Sequence, residues 1–157
     1  MENHPLLSLC KAYRDYFYIG AAVNENTIRT HDKLICGHFN SITAENSMKF
    51  ESLHPTEKTY NFTLADELVR YAEKNGLRMR GHTLVWHNQT PDWVYKKDGM
   101  PASRELLLTR MEDHIKTVAE HFPNPYAWDV VNEAVEDYED SLLRSSQWRD
   151  IIGDDFI

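Results

Sequence analysis

The sequence predicts an α/β fold, in which a parallel sheet is covered by helices. Four short apolar segments alternate with longer segments of helical periodicity in the order βαβαβαβ(α), and no internal repeat or Gly/Ser linker interrupts them. Right-handed crossovers leave an open doubly wound sheet or a barrel as the possible architectures. A phosphate-binding G-x-G-x-x-G motif would favour the open sheet, but Gly20 in the first strand is followed by Ala21 and Ala22.

The first half of the chain supplies two strands and two helices. The expected elements are strands at 18–23 and 40–45 and helices at 27–38 and 64–75. Thr63 is expected to cap the second of these helices, because a threonine hydroxyl can accept a hydrogen bond from a free backbone N–H of the first turn. Gly76 should end it, because glycine readily adopts the left-handed conformation that follows many helices.

The second half continues the alternation. The expected elements are strands at 77–85 and 127–131, a helix at 104–121 and a helical start at 145–152. Ser103 should cap the long helix, and Pro123 should help to end it. Residues 89–101 and 136–141 are expected to be loops because they are polar and lack helical or strand periodicity.

Composition and charge restrict the classes of partner. The chain has 157 residues, of which 41% are apolar and 27% charged, which is ordinary for a soluble globular protein. Its formal net charge of −8 would repel nucleic-acid phosphates and anionic membranes, so neither is expected as a partner. A neutral polymer such as a saccharide carries no such penalty.

Two features of the sequence indicate a cytoplasmic protein. The first residues lack the basic and apolar regions of a secretory signal. Cys10 and Cys36 lie far apart and form no C-x-x-C motif, so reduced thiols are expected rather than a disulfide.

Polar and aromatic residues follow three of the predicted strands. They are Glu45, Asn46 and Lys49 after the second strand, His82, Trp86, His87, Asn88 and Gln89 around the end of the third, and Asn132 and Glu133 after the fourth. The carboxyl ends of the strands of a (β/α)₈ barrel open onto one face, which carries the active site. Because unpaired polar groups are costly to bury, a shared pocket explains this set better than a core does.

Glu133 is the candidate proton donor. It directly follows an apolar strand and the amide of Asn132. A carboxyl group in partly apolar surroundings tends to stay protonated, and a protonated carboxylic acid can donate its proton to a glycosidic oxygen. The alternative is an ordinary glutamate that caps a helix or lies on the surface.

The histidines raise the possibility of a metal site. His82 and His87 are five residues apart, a spacing that directs them to opposite faces of an extended strand, and no H-E-x-x-H motif is present. We therefore expect no metal and no cofactor. His82 is expected to act as a neutral hydrogen-bonding residue.

Lys49 and Arg80 are candidate partners for nearby acids and amides. Lys49 alone would be a surface lysine, but beside Glu45 and Asn46 it is expected to be paired and to bind hydroxyl groups. Arg80, on the third strand, is expected to pair with either Glu45 or Asp129.

The tryptophans differ in their expected surroundings. Trp86 precedes the polar run H-N-Q-T, which favours the wall of a binding cleft over the core. Trp148 lies in the last predicted helix and is expected to pack inside the protein.

Three segments carry a family likeness. They are SITAENSMKFE at 41–51, GHTLVWHNQTPDWV at 81–94 and WDVVNEA at 128–134, and they resemble the glycoside hydrolases of family 10, the endo-1,4-β-xylanases. The likeness extends to YIGAAVN near the start and WRDIIGDDF near the end. Three long motifs in the right order are much more specific than one short pattern.

The resemblance implies a (β/α)₈ barrel that hydrolyses β-1,4-xylan with retention of configuration. By resemblance, Glu133 matches the general acid/base and Asn132 the amide beside it. The residues that match the glycone side of the cleavage point are Glu45, Asn46, Lys49, His82, Trp86 and Gln89. The implied partner is xylan or a xylo-oligosaccharide, and the likeness is to the intracellular members of the family.

The chain departs from the family in length. Family members have eight β/α units, and residues 1–157 match about the first four, a half barrel without the strand that carries the nucleophilic glutamate. Retaining hydrolysis needs two carboxyl groups about 5 Å apart. An incomplete xylanase is therefore expected, with a non-catalytic xylo-oligosaccharide binder or an inactive fragment as alternatives. Its open sheet edges predict self-association or binding of the missing half.

Overall fold

The computed structural model describes residues 7–137 and 142–157, and its centre is a parallel sheet. In chain order the elements are α1 (Leu9–Ala12), β1 (Gly20–Val23), α2 (Glu25–Thr30), α3 (Asp32–His38), β2 (Ser41–Ala44), α4 (Phe50–Leu53), α5 (Thr63–Lys74), β3 (Arg78–Val85), α6 (Asp92–Tyr95), β4 (Lys96–Lys97), β5 (Met100–Pro101), α7 (Arg104–His121), β6 (Ala127–Val131) and α8 (Gln147–Ile152), followed by a 3₁₀ turn at Asp154–Phe156.

The sheet confirms the predicted alternation of parallel strands and helices. Its strand order is β1-β2-β3-β6, and all three pairings are parallel. Ser41 of β2 lies opposite Gly20 on one side and Arg78 on the other. The register between β3 and β6 shifts between His82 and Val85, where the strands approach the loops that carry the polar residues.

The core lies between the sheet and the helices α5 and α7. Leu68 of α5, Leu107 and Val118 of α7 and Ile42 of β2 are fully buried. Burial of apolar surface stabilises a fold by roughly 25 cal/mol for each Å², so the packing of these two helices on the sheet stabilises it. The N-cap predicted at Ser103 is confirmed, because its hydroxyl accepts a hydrogen bond from Leu106 N at 3.3 Å.

Two predictions about where helices begin are wrong. The single helix expected at 27–38 is two helices, α2 and α3, and the first begins early because Asn24 caps it. The Asn24 side chain accepts hydrogen bonds from the backbone N–H groups of Asn26 and Thr27. Thr63 is the first residue of α5 rather than its cap, since Phe62 occupies the N-cap position.

The loop expected at 89–101 contains regular structure. Helix α6 occupies its middle, and β4 and β5 form a short antiparallel pair at its end. The loop expected at 136–141 lies only partly within the described residues. The helical start expected at 145–152 is α8, which Ser146 caps and which ends at Gly153.

The sheet has an open strand at each edge. Strands β1 and β6 each pair on one side only, within the part of the chain that the structure describes. Val130 on β6 is 53% exposed, and Tyr18 and Tyr126 beside the sheet are also exposed. None of the described helices has the length and apolar character needed to cross a membrane.

Candidate active site at the carboxyl ends of the strands

The candidate proton donor lies directly after β6. Glu133 follows the last residue of β6 by two positions, and its side chain is 49% exposed, so its surroundings are less apolar than the sequence suggests. The indole Nε1–H of Trp86 donates a hydrogen bond to Glu133 Oε2 at 3.0 Å. The Nε2 atom of His87 lies 3.7 Å from the same oxygen. These contacts give the carboxylate a defined direction despite its exposure.

Burial lowers the pKa of His87, and the positive charge of Arg144 lowers it further, whereas the carboxylates of Glu133 and Glu136 raise it. The net lowering favours the neutral imidazole beside Glu133. Its Nε2 also lies 3.1 Å from the amide nitrogen of Asn88. A neutral imidazole leaves Glu133 without a fixed cationic partner at this position.

Lys49 organises a second group of polar side chains. Its ammonium group donates hydrogen bonds to Asn46 Oδ1 at 2.9 Å and to Gln89 Oε1 at 2.6 Å. The same nitrogen lies 4.7 Å from the centre of the Trp86 ring, within the range of a cation–π contact. Lys49 is only 8% exposed, so it is not the surface lysine of the alternative interpretation.

The Lys49 group is joined to its surroundings through Gln89. The Gln89 side-chain nitrogen donates to Asn46 Oδ1 at 3.3 Å and to Glu51 Oε1 at 3.1 Å. A hydrogen-bonded network of this kind keeps its donors and acceptors in place before a ligand arrives, which suits recognition of hydroxyl groups.

Glu45 lies at the end of β2 and is oriented by an asparagine. The side-chain nitrogen of Asn24 donates to Glu45 Oε2 at 2.6 Å. The same Asn24 caps α2, so one residue fixes both a helix start and the direction of the carboxylate. Sequence reasoning did not single out Asn24, although it follows the end of β1 as the other polar residues follow β2, β3 and β6.

His82 belongs to a charged group on β3 and β6. Its Nδ1 lies 2.8 Å from Asp129 Oδ2, and Arg80 makes an ion pair with the other oxygen of Asp129. Of the two partners expected for Arg80, the structure therefore selects Asp129 over Glu45. Asp129 was missed as a site residue because it lies inside the strand rather than after it.

Five of the predicted site residues line two neighbouring hollows. Glu45, His82 and Asn132 line one concave surface with a cavity volume of about 570 Å³. Asn132 also borders the smaller hollow that contains Trp86 and Glu133. A more apolar hollow at the other end of the strands, near Phe122 and Pro123, contains none of the predicted site residues.

The two histidines have separate partners. His82 contacts Asp129, whereas His87 lies beside Glu133. Within residues 7–137 and 142–157, no group of three or more histidines, cysteines or acids is arranged to hold a metal ion.

Comparisons with known proteins identify the family of the chain. A family profile described as Glycosyl hydrolase family 10 matches residues 8–157. Endo-1,4-beta-xylanase A of Caldicellulosiruptor saccharolyticus is 54% identical over 96% of this chain and 45% of its own length.

Two solved structures are similar in fold as well. A mutant crystallised in complex with xylotriose has a TM-score of 0.92 at 49% identity, covering 96% of this chain and 46% of that one. An intracellular xylanase from Thermoanaerobacterium saccharolyticum has a TM-score of 0.90 at 44% identity, covering 97% and 51%. The chain spans about half the length of these relatives, and the parallel sheet is part of a (β/α)₈ barrel, as predicted.

Proposed function

The chain belongs to glycosyl hydrolase family 10, and from this membership we propose that residues 1–157 supply the amino-terminal, proton-donating half of an endo-1,4-β-xylanase catalytic domain. The observation that carries the proposal is the Glu133 carboxylate at the end of β6, hydrogen-bonded to Trp86 and adjacent to neutral His87. In this proposal Glu133 is the general acid/base of a retaining mechanism.

The mechanism assigns two proton transfers to Glu133. As a carboxylic acid it first protonates the glycosidic oxygen while the C–O bond breaks, and as a carboxylate it then removes a proton from the attacking water. The Trp86 indole N–H supports the second role, since it donates to the carboxylate oxygen and fixes its direction. The nucleophile that carries the glycosyl group between these steps is to be supplied by the second half of the domain.

We further propose that the polar groups around Lys49 hold the glycone side of the substrate. Lys49, Asn46 and Gln89 are pre-organised by mutual hydrogen bonds, and Trp86 offers an aromatic face beside them. Asn132 and the carboxylate of Glu45 add an amide and an acceptor on the neighbouring surface, with His82 close by. Neutral xylose units fit such a mixture of aromatic and hydrogen-bonding groups, and a relative of similar structure was solved with xylotriose bound.

The proposed partner for the open edges is the second half of the barrel. Among the described residues, strands β1 and β6 each have one edge without a paired strand, and relatives of about twice the length share the fold of this half. Association of two copies through the same edges is the alternative. A xylo-oligosaccharide binder without turnover is the second candidate function, favoured by the pre-organised Lys49 group, which needs no nucleophile to bind a sugar.

We also propose a cytoplasmic location. Cys10 and Cys36 are free thiols, and Cys36 is exposed, which suits a reducing compartment. The related enzyme from T. saccharolyticum is described as intracellular. Fractionation of the source cells, with the protein followed by antibody, would test this proposal; recovery in the culture medium would contradict it.

The proposed function is tested by binding and complementation. The purified chain should bind xylotriose in a calorimeter but leave xylan intact, and mixing it with the carboxyl-terminal half of a family 10 relative should produce hydrolysis. Glu133→Gln should abolish that hydrolysis, whereas Glu112→Gln on the exposed face of α7 should not.

The other outcomes are equally informative. Hydrolysis by the chain alone that disappears in Glu133→Gln would contradict the need for a second half. Binding of xylotriose without turnover in the mixture would favour the binder. A chain that gives no near-UV circular dichroism and binds no xylotriose would be an inactive fragment.

A further inference from the structure

The backbone at Glu133 adopts a conformation that needs external support. Its φ angle is 52°, in the left-handed region, where a residue with a Cβ is less stable than in the right-handed or extended regions. The residue before it is fixed to the sheet, since Asn132 N donates to Val85 O at 2.9 Å. The chain therefore leaves β6 through a strained turn, and that turn determines where the Glu133 carboxylate points.

A short antiparallel pair of segments follows the turn. Arg144 N donates to Ala134 O at 2.8 Å, and Val135 forms a bridge with Leu143. The chain thus returns to Glu133 eleven residues later, and it brings the Arg144 side chain with it. The return is independent of the sheet, so it supplies a second anchor for the turn.

The Arg144 guanidinium completes this anchor. Its Nε–H donates to the backbone carbonyl of Glu133 at 3.1 Å. The residue therefore holds two successive carbonyl groups, that of Glu133 with its side chain and that of Ala134 with its backbone. The carboxylates of Glu136 and Asp137 each lie 3.9 Å from Nη2, so the guanidinium is flanked by opposite charge.

Trp86, which donates to the Glu133 carboxylate, is also held by the part of the chain that contains Arg144. Helix α8 begins three residues after Arg144, and the indole N–H of Trp148 donates to the backbone carbonyl of Trp86 at 2.9 Å. Trp86 in turn donates to Glu133 Oε2. The segment from 144 to 148 thus fixes both the backbone of Glu133 and the donor to its carboxylate.

We propose that Arg144 is a positioning residue for Glu133: by holding the carbonyl of the left-handed turn, its guanidinium directs the carboxylate toward the Trp86 indole. The catalytic meaning of this role rests on the proposed function, because it matters for turnover only if Glu133 donates a proton. Displacement of a catalytic group by about 1 Å can reduce a rate about 10²-fold, so such a residue is important although it touches no substrate.

The test uses the ¹⁵N-labelled chain and follows the indole N–H signal of Trp86. Glu133→Gln removes the charged acceptor and defines the direction in which that signal moves when the hydrogen bond weakens. Arg144→Met should move it in the same direction and speed its exchange with solvent, and Arg144→Lys should have a smaller effect because it keeps the charge. Arg104→Met, which removes an exposed arginine paired with Asp155, should leave the signal unchanged.

Three results separate positioning from a general structural role. The proposal is supported if Arg144→Met moves the Trp86 signal while the signals of Trp93 and Trp148 stay in place. It is overturned if Glu133→Gln moves the signal and Arg144→Met does not, or if Arg144→Met disturbs all three indoles. Should Arg144→Met fail to fold, the same criteria apply to Arg144→Lys.

Calorimetry with xylotriose tests the proposed function separately from the role of Arg144. The wild-type chain should bind xylotriose, and Arg144→Met should change that affinity by less than about twofold, or about 0.4 kcal/mol, because the Arg144 side chain contacts the turn and the acids beside it rather than Lys49, Asn46 or Gln89. A wild-type chain that binds no xylotriose would contradict the proposed function, whereas the indole signals would still decide the role of Arg144.

Discussion

Trp86 and Trp148 are joined by a hydrogen bond and occupy opposite environments. Trp86 lies beside Lys49 and Glu133 at the carboxyl ends of the strands, a region called the cleft below, and its ring remains partly exposed. Trp148 is 1% exposed and packs edge-on against Tyr95 in the core, while its N–H donates to the backbone carbonyl of Trp86. One polar contact thus connects the candidate site to the core that supports it.

The same division appears between adjacent residues of the chain. Lys49 turns toward the polar group of the cleft, whereas Phe50 begins α4 and stacks on His114, with ring centres 3.6 Å apart. In the cleft, polar atoms pair with one another. In the core, His114 has both ring nitrogens buried without a hydrogen-bond partner among the described residues. Two adjacent residues thus serve different regions, since Phe50 belongs to the core and Lys49 to the group that we propose binds the ligand.

Replacement of Trp148 by alanine should cause the largest loss of stability. Removing a fully buried indole leaves a cavity, and changes of this kind typically lower the free energy of unfolding by about 3–5 kcal/mol. The measurement is urea denaturation followed by far-UV circular dichroism. Trp86→Ala is the matched control and should change the free energy of unfolding by less than half as much; equal losses would remove the distinction between cleft and core.

The pH dependence of stability should identify His114 as part of the core. Burial and, to a smaller extent, the nearby charge of His54 lower the pKa of His114 from 6.5 to about 3. Between these two values the unfolded chain binds more protons than the folded chain, so stability is complete above pH 6.5 and falls as the pH decreases toward 3. The expected loss is about 1.4 kcal/mol for each pH unit, or about 2–3 kcal/mol over two units.

The control for this pH dependence is His114→Phe. Phenylalanine can stack on Phe50 but cannot titrate, so the free energy of unfolding should fall less steeply with decreasing pH than in the wild type. The pKa of His54 is also lowered by burial, so part of the slope should remain. Identical slopes in urea titrations of the two proteins would contradict the assignment of the acid sensitivity to His114.

The two regions also differ in how far the sequence predicts them. The alternation of strands and helices, the cap at Ser103 and the burial of Trp148 follow from local periodicity and were confirmed. The polar residues after β2, β3 and β6 were predicted to converge because parallel strands end at one edge. That Glu45 and His82 line one hollow, and Trp86 and Glu133 another, was not predicted, since it depends on tertiary structure.

Three residues that were not identified as site residues from the sequence contact residues that were. Asp129 contacts His82 from the adjacent strand, Asn24 orients Glu45 from the end of β1, and Arg144 reaches Glu133 from eleven residues away. Each of these contacts depends on tertiary structure, and no local pattern distinguishes such residues from ordinary polar ones. The early start of α2 was missed for a related reason, because it is set by the capping box of Asn24 and Thr27.

Replacement of Trp86 should affect ligand binding more than folding. Trp86→Ala should weaken binding of xylotriose by about 1–3 kcal/mol, because it removes the large apolar face that we propose contacts the sugar. Isothermal calorimetry measures the change, and Trp86→Phe should retain part of the affinity. Unchanged affinity together with a large loss of stability would assign Trp86 to the core instead.

The smallest expected effect concerns Asn24, which belongs to both regions. Asn24→Ala removes the N-cap of α2 and should lower the free energy of unfolding by about 1 kcal/mol, and it also frees the Glu45 carboxylate. Asn24→Asp keeps a capping oxygen but replaces the donor to Glu45 by a like charge. It should therefore retain nearly all the stability in urea denaturation while weakening xylotriose binding measured by calorimetry. If Asn24→Asp binds as the wild type does, the direction of the Glu45 carboxylate is unimportant for the sugar, and Asn24 serves the helix alone.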